Sequence, residues 1–145
     1  MLGMVTTVVG LLVLSGMMKG PVPSLLAPAP SAIGSLQTTA PDLAVFLSEV
    51  ANPEFLATDT ASQIHIPQIA ITADFSWGLG IGIQHSDQGD ALWQNGITPG
   101  FRSVMVIYPD HQWGVVVLTN SDAGLHVAYD VAARALGGKA QLSSF

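Results

Sequence analysis

The stretch Leu92–Ser121, LWQNGITPGFRSVMVIYPDHQWGVVVLTNS, decides the fold. Two apolar runs, Arg102–Tyr108 and Trp113–Thr119, flank Pro109-Asp110-His111-Gln112. Proline presets φ for a turn and an aspartate can bond its own backbone there, so the pair reads as an antiparallel hairpin. Val115–Leu118 is VVVL, without polar alternation, as a strand covered on both faces requires. Layers are therefore expected on either side of this sheet. Just upstream, Ala91–Gln94 reads as a further strand. Trp77–Gln84, WGLGIGIQ, places Gly78, Gly80 and Gly82 on one face and Leu79, Ile81 and Ile83 on the other. It is read as a single strand whose bare face admits a close neighbour. A phosphate-cradling loop is only weakly signalled there, because the GxGxxG spacing is absent and no helix start follows.

Helices bracket these strands. Thr39-Ala-Pro-Asp42 offers a capping hydroxyl, a proline in the first turn and an acid three residues after the cap. Leu43, Phe46, Leu47 and Val50 then recur at helical spacing until Asn52-Pro53. A shorter helix is expected from Asp59 to Ile64. After the strands, Ser121 or Asp122 caps a last helix with Leu125, Ala128, Ala132 and Ala135 on one stripe, ended by Gly137-Gly138. The fold class expected is α+β, an antiparallel sheet flanked by helices.

Upstream of these elements, Met1–Met18 carries no charged side chain. Its length reaches the lower bound for a membrane-spanning helix, although Gly3, Gly10, Thr6 and Thr7 weaken that helix. A cleaved leader fits less well, since no Lys or Arg precedes the apolar run. A buried core segment and a start placed inside a longer reading frame stay open as alternatives. Gly20–Pro30, GPVPSLLAPAP, is too proline-rich for helix or central strand and reads as an extended linker. The organisation expected is thus an apolar segment over 1–19 (a membrane anchor), a linker over 20–30, and a domain over 31–145. Membrane association or export is the corresponding location.

Composition narrows the chemistry. Four Lys plus Arg against ten Asp plus Glu give −6, so the chain cannot supply the clustered cations that a nucleic acid needs. The 145 residues include no cysteine, which removes thiolate nucleophiles and Cys-based zinc sites. His65, His85, His111 and His126 lack the spacing of a ligand pair, so no metal or other cofactor is expected. No Ser-x-x-Lys exists, since Gly16 and Leu136 stand three before Lys19 and Lys139. No Gly-x-Ser-x-Gly exists either. Ser, His and Asp are all present, but a triad is an arrangement in space that order along the chain does not reveal. Tyr108, before Pro109, reads as a strand end. Arg102 is read as a strand arginine paired with Asp90 or Asp110 rather than as a contact for a substrate carboxylate.

Leu92–Ser121 resembles the third-motif strand and hairpin of the serine β-lactamase superfamily, above all class C β-lactamases and their esterase and penicillin-binding relatives. Those proteins carry Lys-Thr-Gly or His-x-Gly, then Gly-Phe-x-Ser, an apolar strand ending in Pro, and a Gly-x-Val-x-Leu-x-Asn strand. Pro30–Leu47, PSAIGSLQTTAPDLAVFL, is similar to the segment preceding that motif, and WGLGIGI and the closing helix follow in the same order. The likeness covers about Pro30 to Gly138. It implies the C-terminal part of a β-lactamase/transpeptidase-like hydrolase of small esters or amides. The family's Ser-x-x-Lys and Tyr-x-Asn are absent, so no catalytic residue is assigned and the chain alone is expected to be inactive. Gln94 stands at the third-motif Lys or His, followed by Asn95 and Gly96. Ile97 stands at the position whose backbone N–H completes the oxyanion hole.

Gln94, Asn95, Gly96 and Ile97 are therefore the candidate substrate-binding residues; a polar strand end is the alternative. Gly96 is expected to be small so that substrate can approach the strand edge. Because the family builds its first strands from a part missing here, an unpaired sheet edge and self-association through it are expected unless Met1–Met18 covers that face. A membrane-tethered, non-catalytic binding domain is the alternative function.

Overall fold

A computed structural model describes residues 7–13 and 36–137. The linker, residues 1–6, the remainder of the apolar run and Gly138 onward lie outside them. The elements in order are β1 (Thr7–Val13), α1 (Ala40–Ala51), α2 (Thr58–Ile64), β2 (Ile69–Ala70), β3 (Phe75–Trp77), β4 (Gly82–Gln84), β5 (Ala91–Thr98), β6 (Phe101–Tyr108), β7 (Trp113–Thr119) and α3 (Gly124–Ala135). The sheet runs β1-β7-β6-β5-β4-β3-β2. From β2 to β7 every pairing is antiparallel, and β1 adds in parallel at the β7 edge.

The VVVL reading is explained by the two layers. Val115 and Val117 pack with Ala128, Tyr129 and Ala132 of α3 on one face. Val116 packs with Ala44, Leu47 and Val50 of α1 on the other. All three valines are fully buried, which contributes roughly 1.5–3 kcal/mol each. Alanines at 128 and 132 bring α3 close to the sheet. Glycine at 124 does the same at its start, since a Cβ there would collide with Thr119 Oγ1.

α1 begins as its sequence requires. Thr39 Oγ1 accepts the Asp42 N–H at 3.3 Å and donates to Asp42 Oδ2 at 2.8 Å. Its buried stripe is Ala40, Ala44, Leu47 and Val50, with Leu43 partly buried. Phe46 was placed on that stripe by spacing but is 53% exposed, because the two alanines set the face that meets the sheet. α3 starts without a side-chain cap. Ser121 Oγ instead accepts the Ala123 N–H at 3.2 Å, and Asp122 turns away to the β5–β6 turn.

Two strand readings change. Trp77–Gln84 is a hairpin, not one strand: Gly78–Ile81 closes a turn through Gly78 N–H to Ile81 O at 2.8 Å, with Gly80 at φ +76°. The three glycines therefore do not share one face of a strand, though Gly82 has a close neighbour, the Trp93 ring. Thr7–Val13, inside the apolar run for which a membrane helix and a buried segment are both open readings, is a sheet strand, and it occupies the edge of β7 that is expected to be unpaired unless Met1–Met18 covers it. Among the described residues no helix is long and apolar enough to cross a membrane.

Candidate functional site

β5 is longer than its neighbour β4. Their register is Gly82↔Trp93, Ile83↔Leu92 and Gln84↔Ala91, so β4 stops opposite Trp93. β6 continues to pair with β5 as far as Thr98↔Phe101. Gln94–Thr98 is thus a strand segment bonded on one side with its other edge open among the described residues.

The orientation of this edge follows from one hydrogen bond. Asn95 N–H donates to Gln94 Oε1 at 3.2 Å, so it points off β6. Successive N–H groups of a strand alternate in direction, which puts the Ile97 N–H on the same open edge. The Ile97 side chain is 58% exposed. Gln94 lies along the edge, its Nε2 reaching Gly80 O of the β3–β4 turn at 3.5 Å.

The four candidate residues divide between the two faces of the sheet. Gln94, Asn95 and Gly96 line a cavity of about 450 Å³, walled also by Leu36, Arg102, Ser103 and Met105. Asn95 faces the other way, donating from Nδ2 to the Tyr129 hydroxyl of α3 at 2.8 Å. Its side chain fastens β5 to the helix layer, while Asn95 still contributes to the lining of the cavity. Gly96 lies opposite Ser103, and a Cβ at 96 would meet Ser103 Oγ. Its lack of a side chain therefore has a cause inside the sheet, beside the substrate approach expected of it.

The β5–β6 turn that aims this edge is held by an ion pair the sequence reading missed. Pro99 and Gly100, the latter at φ +80°, close the turn as a type II turn requires. Asp122 Oδ1 accepts the Gly100 N–H at 2.9 Å and meets Arg102 NH2 at 3.0 Å. The Gly100 N–H, aided by the Arg102 charge, holds the Asp122 carboxyl below the usual carboxylate range. Arg102 also donates through NH1 to Thr98 O and Phe101 O. Its partner is Asp122, not Asp90 or Asp110. The signal was the Gly-Phe-Arg stretch followed, one hairpin later, by Asp122; only the register shows that the two meet. Tyr108 ends β6, buried at 3%.

Comparison with known proteins places the chain. The β-lactamase family model matches residues 10–139, and the chain belongs to that family. Among solved structures it is similar to a penicillin binding protein from Bacillus halodurans, at 27% identity and a TM-score of 0.59. That match covers 66% of this chain and 29% of the other, so the chain spans under a third of its relative's length. No curated protein matches. Six antiparallel strands between α1 and α3 are the part of the β-lactamase and penicillin-binding fold present here.

Proposed function

We propose that this chain is the C-terminal part of a β-lactamase-related serine hydrolase domain acting on a small ester or amide of the β-lactam kind. The observation that carries the reading is the open edge of β5 beside the Gln94–Gly96 groove. A backbone donor at Ile97 receives the acyl oxygen, and the groove takes the body of the substrate. A hydroxyl positioned over that edge by a Ser-x-x-Lys segment attacks the carbonyl, and that segment is not among these residues. Gln94 hydrogen-bonds the substrate without supplying charge; Arg102 is the cation lining the groove. An oxyanion donor without a nucleophile gives no turnover.

The test is hydrolysis of nitrocefin and p-nitrophenyl esters by the purified chain, with and without a separately produced Ser-x-x-Lys-bearing part of a relative. No turnover alone and recovered turnover on mixing support the reading; continued, multiple-turnover hydrolysis by the chain by itself refutes it. A membrane-tethered binding domain that uses the same groove is the second reading, favoured by the uncharged run Met1–Met18. Complete release of the chain from membranes by carbonate would remove it.

A further inference from the structure

Away from the groove, three side chains from separate strands or strand ends meet on the α1 face of the sheet. His85 Nδ1 lies 2.8 Å from Asp90 Oδ1, and His85 Nε2 lies 3.1 Å from Ser76 Oγ. The register explains the meeting. Ser76 pairs with Ile83, so His85, two residues on, is its diagonal neighbour on the same face. Ile83 pairs with Leu92, which sets His85 opposite Asp90. A carboxylate only accepts, so Nδ1–H faces Asp90, and in the tautomer that this selects Nε2 is the acceptor for the Ser76 hydroxyl. The atoms are connected as in a serine nucleophile with its base and orienting acid.

We propose that Ser76, activated by His85 and oriented through Asp90, is a nucleophilic centre separate from the groove, one that takes up a small acyl, sulfonyl or phosphoryl group without turning it over. Two features set these limits. Ser76 is 4% exposed, so only a small electrophile reaches it, whereas the His85 and Asp90 side chains are 33% and 54% exposed. β2, a strand of two exposed residues paired with β3, is the flank of this strand whose local opening loosens the packing around Ser76.

The second feature is that the Ser76 backbone N–H is not free to cradle an oxyanion. Trp77 O and Phe75 O accept from Gln68 and Ile71 on the β2 side, so the Ser76 N–H is committed to the ladder with β4. Attack therefore stops at the stable adduct. With methanesulfonyl fluoride, the Ser76 Oγ–S bond forms, the S–F bond breaks, fluoride leaves and the hydroxyl proton passes to His85 Nε2.

The experiment is incubation of the full chain with methanesulfonyl fluoride, read by intact mass and peptide mapping. A single adduct at Ser76 is expected, absent in Ser76→Ala. His85→Gln should slow its formation by about 100-fold or more, the usual worth of a positioned base. Asp90→Asn, a substitution of similar size at an exposed position, should slow it at least tenfold and carries the test if His85→Gln fails to fold. Near-ultraviolet circular dichroism establishes that each variant compared is folded. No adduct at Ser76 in the folded chain, adducts confined to other hydroxyls, or a rate unchanged in the variants overturns the proposal.

Discussion

Substituting Gly82 by alanine tests whether the β4–β5 pair, which sets where the open edge of β5 begins, is as tightly packed as its geometry says. A Cβ at 82 would lie 2.8 Å from Trp93 Cε2 and Nε1 and 3.1 Å from Phe75 Cε2. Carbon contacts settle at about 3.5–4.0 Å, so something must move by more than half an ångström. The ring is not free to swing, because Trp93 is buried and its centroid is 5.4 Å from Phe75 and 6.0 Å from Trp77. Overpacking of this kind costs about 1–3 kcal/mol, offset by roughly 0.5–1 kcal/mol for removing a strand glycine. The net is about 1–2 kcal/mol, equivalent to a melting temperature lower by roughly 3–8 °C.

Thermal and urea unfolding followed by near-ultraviolet circular dichroism measure the loss, and the tryptophan bands should change with it. Gly80→Ala is the control: nothing lies within 4 Å, but φ +76° makes an L-residue cost about 1 kcal/mol without touching the aromatic cluster. In a Trp93→Leu background the Gly82→Ala penalty should largely vanish. A Gly82→Ala chain as stable as the parent, with unchanged aromatic dichroism, would refute the packing argument.

Leu47→Ala removes the fully buried side chain that seats α1 on the sheet and should cost about 2–5 kcal/mol by urea titration. The Asp122 carboxyl has a lowered pKa when folded, so its contribution is present above the unfolded value and is lost as pH falls through the folded one. Asp122→Asn should therefore flatten the acid limb of a stability-against-pH curve while lowering stability at neutral pH. Gln94→Lys places a second cation in the groove and should tighten binding of a carboxylate-bearing β-lactam by roughly 1.5- to 5-fold, as an exposed ion pair allows; isothermal titration reads it.

The sheet was legible wherever the sequence carried a strong local signal. Pro109–Gln112 between two apolar runs gave the β6–β7 hairpin, and Thr39-Ala-Pro-Asp42 gave the start of α1, because turn and cap chemistry are set by neighbours in the chain. Glycine misled at 78–82: alternation with Leu79 and Ile81 imitates a strand, while Gly80 in the left-handed region breaks it. Thr7–Val13 was ambiguous for another reason, since a short apolar run suits a strand, a buried segment or a membrane helix equally by composition.

Long-range partners were the least legible. Arg102 had several carboxylates within reach of a guess, and choosing Asp122 depends on where α3 docks. The candidate site shows the same division. Family likeness pointed to Gln94–Ile97, but only the pleat shows that the Asn95 side chain turns to Tyr129 while Gln94 and Gly96 lie on the other face. The Ser76–His85–Asp90 relay spans fifteen residues, with Ser76 on β3 and the other two at the ends of β4 and β5, and no spacing rule along the chain would have assembled it.

The most direct measurement is a titration of the isotope-labelled chain with a penicillin, following backbone amides by nuclear magnetic resonance. The amides of Asn95 and Ile97, on the free side of β5, should shift with saturation, while those of α3 stay in place. Saturable shifts confined to the cavity around His65 and Asp110, or none on β5 at millimolar penicillin, would contradict the assignment of that edge as the face that meets substrate.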